Sequence, residues 1–156
     1  MKRLLFSLLG ICLFSAAAAF VTYLVVPPPD RSVKCDQESL PEYHVCLSTV
    51  RGWPANDVLW VDARPREDWE RNGVKGSILI NEKIDPEDWG WEFLSRMNES
   101  PRSKVVVYCN KTGCGSSKYV ADLIRKDHGQ DGSFEVVVLE GGFKSLATEK
   151  GKNKTP

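Results

Sequence analysis

Two cysteines five residues apart carry the most reactive side chains that the sequence offers. Cys109 directly follows the apolar run of residues 104–108, and Cys114 lies shortly after it, before Gly115. If the run forms a strand and a helix begins near Ser116, Cys109 lies at the carboxyl end of that strand. Open α/β sheets bind their ligands at such positions. We therefore expect the chemistry of this protein to centre on the Cys109 thiol.

The segment after Cys109 is predicted to favour an anion. Glycines at 113 and 115 let backbone N–H groups turn inward, and the start of a helix adds free N–H groups and its positive dipole end. Lys111 and Lys118 add positive charge. These influences favour the thiolate, so we expect a nucleophilic Cys109 with a lowered pKa. The predicted anion-binding loop consists of Asn110, Lys111, Thr112, Gly113, Gly115 and Ser116.

Cys114 has two interpretations. Its thiol could attack a sulfenate or persulfide on Cys109 and resolve it as a disulfide. Alternatively, it is a small residue packed under the loop. We favour the functional pair, because two adjacent thiols in an exported domain readily oxidise.

The elements that must position these residues alternate along the chain. Apolar runs at residues 43–47, 58–61, 77–80, 104–108 and 134–139 are predicted strands. Between them, helical patterns cover residues 65–71, the segment after Pro86, and residues 116–126, and a last helix covers 143–148. This alternation predicts an α/β fold with a doubly wound, mostly parallel five-stranded sheet and helices on both faces.

The N-terminal residues 1–26 are predicted to form a single transmembrane helix. Lys2 and Arg3 precede an uncharged run at residues 4–26, which as a helix would span about 34 Å, enough to cross a bilayer. A cleaved signal peptide is the alternative, since residues 16–19 are four alanines. We favour the anchor because the apolar run continues to residue 26. Either interpretation places Lys2 and Arg3 in the cytoplasm and the domain on the other side, anchored or secreted.

The remaining segments are a predicted linker at residues 27–41, a domain at 42–149 and a flexible tail at 150–156. Cys35 and Cys46 flank the end of the linker and could form a disulfide in an oxidising compartment. Two unpaired thiols are an equally open interpretation, because spacing does not reveal geometry.

Composition and residue spacing narrow the classes of partner and ligand that we expect for this protein. The formal net charge is zero, so we expect no nucleic-acid partner. His44 and His128 are far apart, and the cysteines and histidines lack the paired short spacing of a zinc site, so we expect no metal and no cofactor. We expect the tryptophans to pack in the core or over it; they are Trp53, Trp60, Trp69, Trp89 and Trp91.

Several stretches together resemble a rhodanese-like domain. The first half of the resemblance is Val-Leu-Trp-Val-Asp-Ala-Arg at 58–64, Glu-Asp-Trp-Glu at 67–70 and Asn-Gly-Val-Lys-Gly-Ser at 72–77. The second half is Val-Val-Val-Tyr-Cys at 105–109, the glycine-containing loop, and Val-Leu-Glu-Gly-Gly-Phe at 138–143. The order and spacing of these pieces carry the resemblance. With the N-terminal anchor and the Cys-x4-Cys loop, the chain is similar to an exported bacterial variety of the family, which implies the inner membrane and a periplasmic or extracellular domain.

The resemblance implies transfer of sulfane sulfur. In that family the loop cysteine takes sulfur from a donor such as thiosulfate or a persulfide, carries it as a persulfide, and passes it to a thiol acceptor. Cys109 would hold this role, and Lys111 would attract an anionic donor. Asp62 and Arg64 match the Asp-x-Arg at the end of a family strand, and we interpret them as structural organisers near the site.

The chain also departs from the family pattern. Its loop is longer and has no arginine, and residues 72–77 lack the His and Pro that many members carry. Longer loops in related cell-cycle phosphatases and arsenate reductases accept tetrahedral oxyanions, but phosphate capture favours a guanidinium. Two rival hypotheses therefore rank above a phosphatase or arsenate reductase. One is a thiol–disulfide enzyme or redox sensor that uses Cys109 and Cys114, and the other is a binding module without turnover.

Overall fold

The computed structural model describes residues 15–16, 20–22, 35–99, 102–110, 115–129 and 132–152. Residues 86 and 149–152 are described by their backbone alone. The chain divides into two units, Met1–Arg31 and Ser32–Pro156. In the first unit, residues 15–16 and 20–22 are helical. The rest of the predicted anchor or signal segment 1–26 lies outside the described residues, as do residues 27–34 of the predicted linker. No helix among the residues described is both long and apolar enough to span a membrane.

The second unit is built on a parallel sheet of five strands. They are β1 (His44–Val45), β2 (Val58–Asp62), β3 (Ile78–Leu79), β4 (Lys104–Tyr108) and β5 (Glu135–Leu139). Their order across the sheet is β1-β5-β4-β2-β3, and each neighbouring pair is parallel. The prediction of a mostly parallel five-stranded sheet is confirmed.

Among the residues described in this unit, five α-helices connect or follow the strands: α1 (Leu47–Arg51), α2 (Arg66–Asn72), α3 (Pro86–Glu99), α4 (Gly115–His128) and α5 (Gly142–Lys152). The sequence predicted α4 at 116–126, so the helix begins one residue earlier and ends two residues later. Helix α5 was predicted to end at 148 and instead runs to Lys152, into the segment that we expected to be a tail.

The valine-rich strands separate two hydrophobic cores. On one face of the sheet, Val105 and Val107 of β4 pack with residues of α3 and α4. On the other face, Val106 and Tyr108 pack with residues of α1 and α5. Because strand side chains alternate between faces, a strand that is apolar at every position can serve both cores. The central strand β4 is therefore fixed from both sides, and the residue that follows it is fixed with it.

Helix α3 differs from the expectation for its tryptophans. Trp89 and Phe93 lie four residues apart on the buried face of the helix. Trp91 lies on the opposite face and is 79% exposed, and Leu94 is 41% exposed. The prediction that Trp91 packs in the core or over it was wrong, because its position on the helix points away from the sheet.

A disulfide closes the segment that leads into β1. Cys35 and Cys46 are bonded, with their Cα atoms 5.7 Å apart. Gln37 fills the closed loop, since its Oε1 accepts a hydrogen bond from the Cys46 N–H at 2.9 Å and its Nε2 donates to the His44 carbonyl at 3.0 Å. Of the two interpretations left open by the sequence, the structure has the disulfide. It ties residue 35 to the residue that follows β1, while backbone hydrogen bonds from the Val138 N–H to the Tyr43 carbonyl and from the Glu140 N–H to the Val45 carbonyl hold this short edge strand against β5.

We predict that the Cys35→Ser/Cys46→Ser variant loses about 3 kcal/mol of unfolding free energy, because the bond closes a short loop in the unfolded chain. Urea unfolding measures the loss. Each single serine variant should lose about as much as the double variant, since either change breaks the same bond. A double variant as stable as the wild type would contradict the prediction.

Candidate functional site

The carboxyl ends of the strands meet at one edge of the sheet, because all the strands run in the same direction. Arg64 follows β2, Asn81 follows β3, Cys109 follows β4 and Glu140 follows β5. In an open parallel sheet this edge is where ligands bind. The sequence predicted Cys109, Asp62 and Arg64 near one another, and the sheet order brings β2 and β4 together as neighbours.

Cys109 is held firmly at this edge. It is 2% exposed and packs into the core shared with α3 and α4. Ser117, buried in the first turn of α4, directs its hydroxyl at Cys109 Sγ over 3.5 Å. The backbone N–H of Phe143 donates to the Cys109 carbonyl at 2.6 Å. The Phe143 contact holds the backbone of Cys109, and the Ser117 contact shows that its sulfur points toward the first turn of α4.

The sulfur of Cys109 is bonded in a disulfide. The sequence led us to expect a thiolate at this position, so the structure presents a different oxidation state. The partner cysteine is not among the described residues. A disulfide at this position makes nucleophilic chemistry conditional on its reduction, because only the thiolate attacks.

The predicted anion-binding loop is described only at its two ends. Asn110 is exposed, and its side-chain amide donates to Asp68 Oδ2 at 3.4 Å. Gly115 begins α4 in an exposed position, and Ser116 follows it half-buried. Lys111, Thr112, Gly113 and Cys114 lie outside the described residues. The anion-binding role of the loop stays a prediction.

Asp62 and Arg64 form a buried ion pair at the end of β2, where Asp62 lies opposite Tyr108 in the sheet. Arg64 is 2% exposed and Asp62 is fully buried. The guanidinium donates from Nε to Oδ1 at 2.9 Å and from Nη2 to Oδ2 at 2.8 Å, and the backbone N–H of Arg64 donates to Oδ1 at 2.9 Å. Burial lowers the pKa of Arg64, but the hydrogen bonds and charge of Asp62 outweigh it and raise the pKa above its ordinary value. Arg64 therefore stays charged and paired.

The guanidinium also contacts other parts of the site through hydrogen bonds and through its planar faces. Its Nη1 donates to Asn72 Oδ1 at 3.0 Å and its Nη2 to the Asp68 carbonyl at 3.3 Å, which ties it to α2. Its Cζ atom lies 3.9 Å from the ring centroid of Phe143 and 5.6 Å from that of Tyr108. Cation–π contacts of this kind are stronger when the cation is desolvated. Arg64 therefore packs against both the last residue of β4 and the start of α5.

Tyr108 precedes Cys109 and is fully buried on the opposite face of the sheet. Its hydroxyl accepts a hydrogen bond from the Val74 N–H at 3.0 Å. Burial raises the pKa of Tyr108 to about 12; Asp62 adds to the rise, and the Val74 hydrogen bond opposes it. The phenol is thus a neutral structural group over the ordinary pH range.

A glycine turn connects β5 to α5 and reaches Cys109. Gly141 and Gly142 adopt φ angles of 74° and 54°, which favour glycine because a Cβ atom would clash there. This turn places the Phe143 N–H within hydrogen-bond distance of the Cys109 carbonyl. Glu140 is anchored on both sides, since His44 Nδ1 lies 3.3 Å from its carboxylate and the Ser145 hydroxyl donates to its carbonyl at 2.8 Å.

Sequence reasoning missed four of these contributors: Ser117, Tyr108, Phe143 and His44. Ser117 could have been found from the expected start of α4, because a first-turn residue beside a strand end can face the residue that ends the strand. The contact from Phe143 needed the strand order. Among the described residues, no cluster of three His, Cys, Asp or Glu side chains is placed to hold a metal ion.

Comparisons with known proteins agree with this geometry. A model of the rhodanese-like domain matches residues 51–149, which is more than half of the chain, and the chain belongs to this family. Comparison with curated proteins found no match.

Two examples illustrate the similarity to solved structures. An As-Sb reductase from Leishmania major is 17% identical, with 71% of this chain and 80% of that chain covered and a TM-score of 0.52. The BH2092 protein from Bacillus halodurans is 20% identical, with 69% and 73% covered and a TM-score of 0.47. At this identity the first likeness shows the fold alone, and the second is too weak to support an argument.

We predict that Arg64→Ala destabilises the protein by about 3–5 kcal/mol, because it leaves the Asp62 carboxylate buried without its partner. Arg64→Lys should recover little of this loss, since an ammonium cannot make the forked contact. Urea unfolding checks both variants. Arg66→Ala, which breaks the exposed pair with Glu70, is the control and should change stability by less than about 1 kcal/mol. Equal losses in Arg64→Ala and Arg66→Ala would contradict this account.

Tyr108 should make the stability depend on alkaline pH. Its pKa is about 12 in the folded chain and 10.0 in the reference state, so the unfolded chain releases the proton first. The stabilisation is complete below pH 10 and is lost as the pH rises toward 12, by up to about 2 kcal/mol. Tyr108→Phe should be less stable at neutral pH, because the Val74 N–H loses its acceptor, and should show less of the alkaline decline. Urea unfolding of both proteins across this range decides the question; identical alkaline slopes would reject it.

Proposed function

We propose that this protein is a sulfurtransferase that carries sulfane sulfur as a persulfide on Cys109. The observation that supports it best is the position of the Cys109 sulfur, at the carboxyl end of the central strand of a rhodanese-like domain. The donor is thiosulfate or another persulfide, and the acceptor is a thiol. No cofactor is needed, because the sulfur itself is transferred.

The proposed reaction has two displacements. The Cys109 thiolate attacks the outer sulfur of thiosulfate, the sulfur–sulfur bond breaks, and sulfite leaves with the electron pair. An acceptor thiolate then attacks the outer sulfur of the Cys109 persulfide and releases the Cys109 thiolate. The Ser117 hydroxyl, directed at Sγ, supplies a hydrogen bond that favours the thiolate, which is the nucleophile of the first displacement and the leaving group of the second.

The disulfide on Cys109 must be reduced before the proposed reaction can begin. The Cys35–Cys46 bond accounts for two of the five cysteines, which leaves Cys12 and Cys114 as candidates for its partner. We assign the partner to Cys114, because the two residues are only five positions apart. Two electrons from a dithiol reductant would open this bond and release the Cys109 thiolate.

A thiol–disulfide enzyme or sensor is the second candidate, and the disulfide is the observation that favours it. In this reaction, the Cys114 thiolate attacks Sγ of a Cys109 persulfide, hydrosulfide leaves, and the Cys109–Cys114 disulfide forms. A reductant must then restore the two thiols before another turnover. The two candidates thus share the persulfide and differ in whether Cys114 is required.

The proposed location is the periplasmic or extracellular side of a bacterial inner membrane, with residues 1–26 as a single-pass anchor. The Cys35–Cys46 disulfide supports an oxidising compartment, where such bonds persist. Secretion after signal cleavage is the alternative. The thiol acceptor would then be a molecule or protein of the same compartment.

The decisive experiment is the intact mass of the reduced full chain after exposure to thiosulfate. The wild type should gain the mass of one sulfur atom, because the Cys109 thiolate captures it. Cys114→Ser should retain this gain and Cys109→Ser should lose it. Cys109→Ser is the matched control, since it differs from the wild type by one atom and leaves the other cysteines in place.

Other outcomes would replace the proposal. If the wild type gains no sulfur but a Cys109 disulfide opens and closes with mild reductant and oxidant, the redox candidate is correct. If sulfur is captured but released as sulfide only when Cys114 is present, the reaction ends in the disulfide. If the protein neither captures sulfur nor opens and closes the disulfide, the binding-module hypothesis is the one that remains.

A further inference from the structure

A cavity of about 450 Å³ lies on the face of the sheet opposite the Cys109 side chain. Its walls belong to or pack against the second core, with Val106 and Tyr108, whereas Cys109 belongs to the first. The cavity is therefore separate from the proposed reaction site. Its principal lining residues are Arg51, Trp53, Val58, Trp60, Lys75 and Leu146.

The wall of this cavity is aromatic and aliphatic. Trp53 and Trp60 are only half-buried, and the cavity leaves part of their surface open. Val58 and Leu146 are buried behind them. Ligand cavities in proteins commonly have volumes of about 300–1,000 Å³ and are lined by apolar and aromatic side chains with a few polar groups. This cavity has the size and the wall for a small apolar group.

The charged groups that line the cavity have one sign. Arg51, at the end of α1, and Lys75, in the turn before β3, are both exposed cations. No carboxylate is found among the described lining residues. A pair of cations beside a low-dielectric wall attracts an anion more strongly than it would in open water. The lining thus complements a molecule that is apolar at one end and anionic at the other.

We propose that this cavity binds a small amphipathic anion, namely a carboxylate or sulfonate on a short alkyl chain or an aromatic ring. The apolar part lies against Trp53 and Trp60, and the acid group lies at Lys75 and Arg51. This inference does not depend on the proposed function of Cys109. It assigns a ligand class to a surface that sulfur or electron transfer does not use.

Octanoate is the probe that tests the proposal, and 1-octanol is its neutral counterpart. The full chain carries Trp91→Phe, so that the exposed tryptophan does not obscure the signal, and is held in nanodiscs of neutral lipid. Octanoate should change the tryptophan emission saturably, and octanol should bind more weakly. Empty nanodiscs correct for partition into the lipid.

Variants locate the site. Arg51→Gln/Lys75→Gln should weaken octanoate binding by about fivefold or more and leave octanol binding unchanged, because only the charged contact is removed. Lys83→Gln/Lys144→Gln is the matched control, since it makes the same change in net charge at exposed positions outside the cavity. Circular dichroism verifies that both variants fold.

Three results would overturn the proposal. The first is the absence of a saturable signal with octanoate. The second is an equal loss of octanoate binding in both double variants, which would indicate only general attraction to net charge. The third is octanol binding as tight as octanoate binding, which would show an apolar site with no requirement for an anion.

Discussion

The buried ion pair between Asp62 and Arg64 is the interaction on which the candidate site, at the carboxyl ends of the strands, depends. An isolated charge in this position would be costly, because burial removes its water. The forked contact compensates the guanidinium, and its remaining N–H groups bind α2 through Asn72 and Asp68. The Asn81 side chain donates to the Arg64 carbonyl at 2.9 Å, so the residue also ties the end of β2 to the segment after β3. The side chain and the carbonyl of this one residue thereby fix three connections.

Arg64 also reaches Cys109 indirectly, through the two aromatic rings that flank it. Phe143 and Tyr108 stack at 6.3 Å with Arg64 over both rings. Tyr108 is the residue before Cys109, and the N–H of Phe143 holds the Cys109 carbonyl. The backbone of Cys109 is therefore held by Tyr108 before it and by Phe143 at its carbonyl, and both rings pack against one guanidinium. Such rigidity suits a site whose chemistry requires a fixed direction of attack.

The sheet and its order of elements followed from the sequence, whereas the oxidation state of the site did not. Short valine-rich runs such as residues 104–108 are typical of a strand buried on both faces, so β4 was predictable from local composition and length. The position of Cys109 after β4 followed from the same run. Its disulfide was one of the states that the sequence allowed and did not decide between, because bond formation depends on how two sulfur atoms approach in space. The same limit applied to Cys35 and Cys46, for which spacing left both states open.

Contacts between distant segments account for the rest of what the sequence did not reveal. Trp91 was expected to pack because tryptophan is apolar, but its helical position faces away from the sheet. Phe143 and His44 gain their roles only when the strand order brings β1, β4 and β5 together. The cavity between α1, β2 and α5 is likewise a property of packing, since its cations Arg51 and Lys75 are far apart in sequence. Local pattern thus determines the elements, and the site belongs to the edge where they meet.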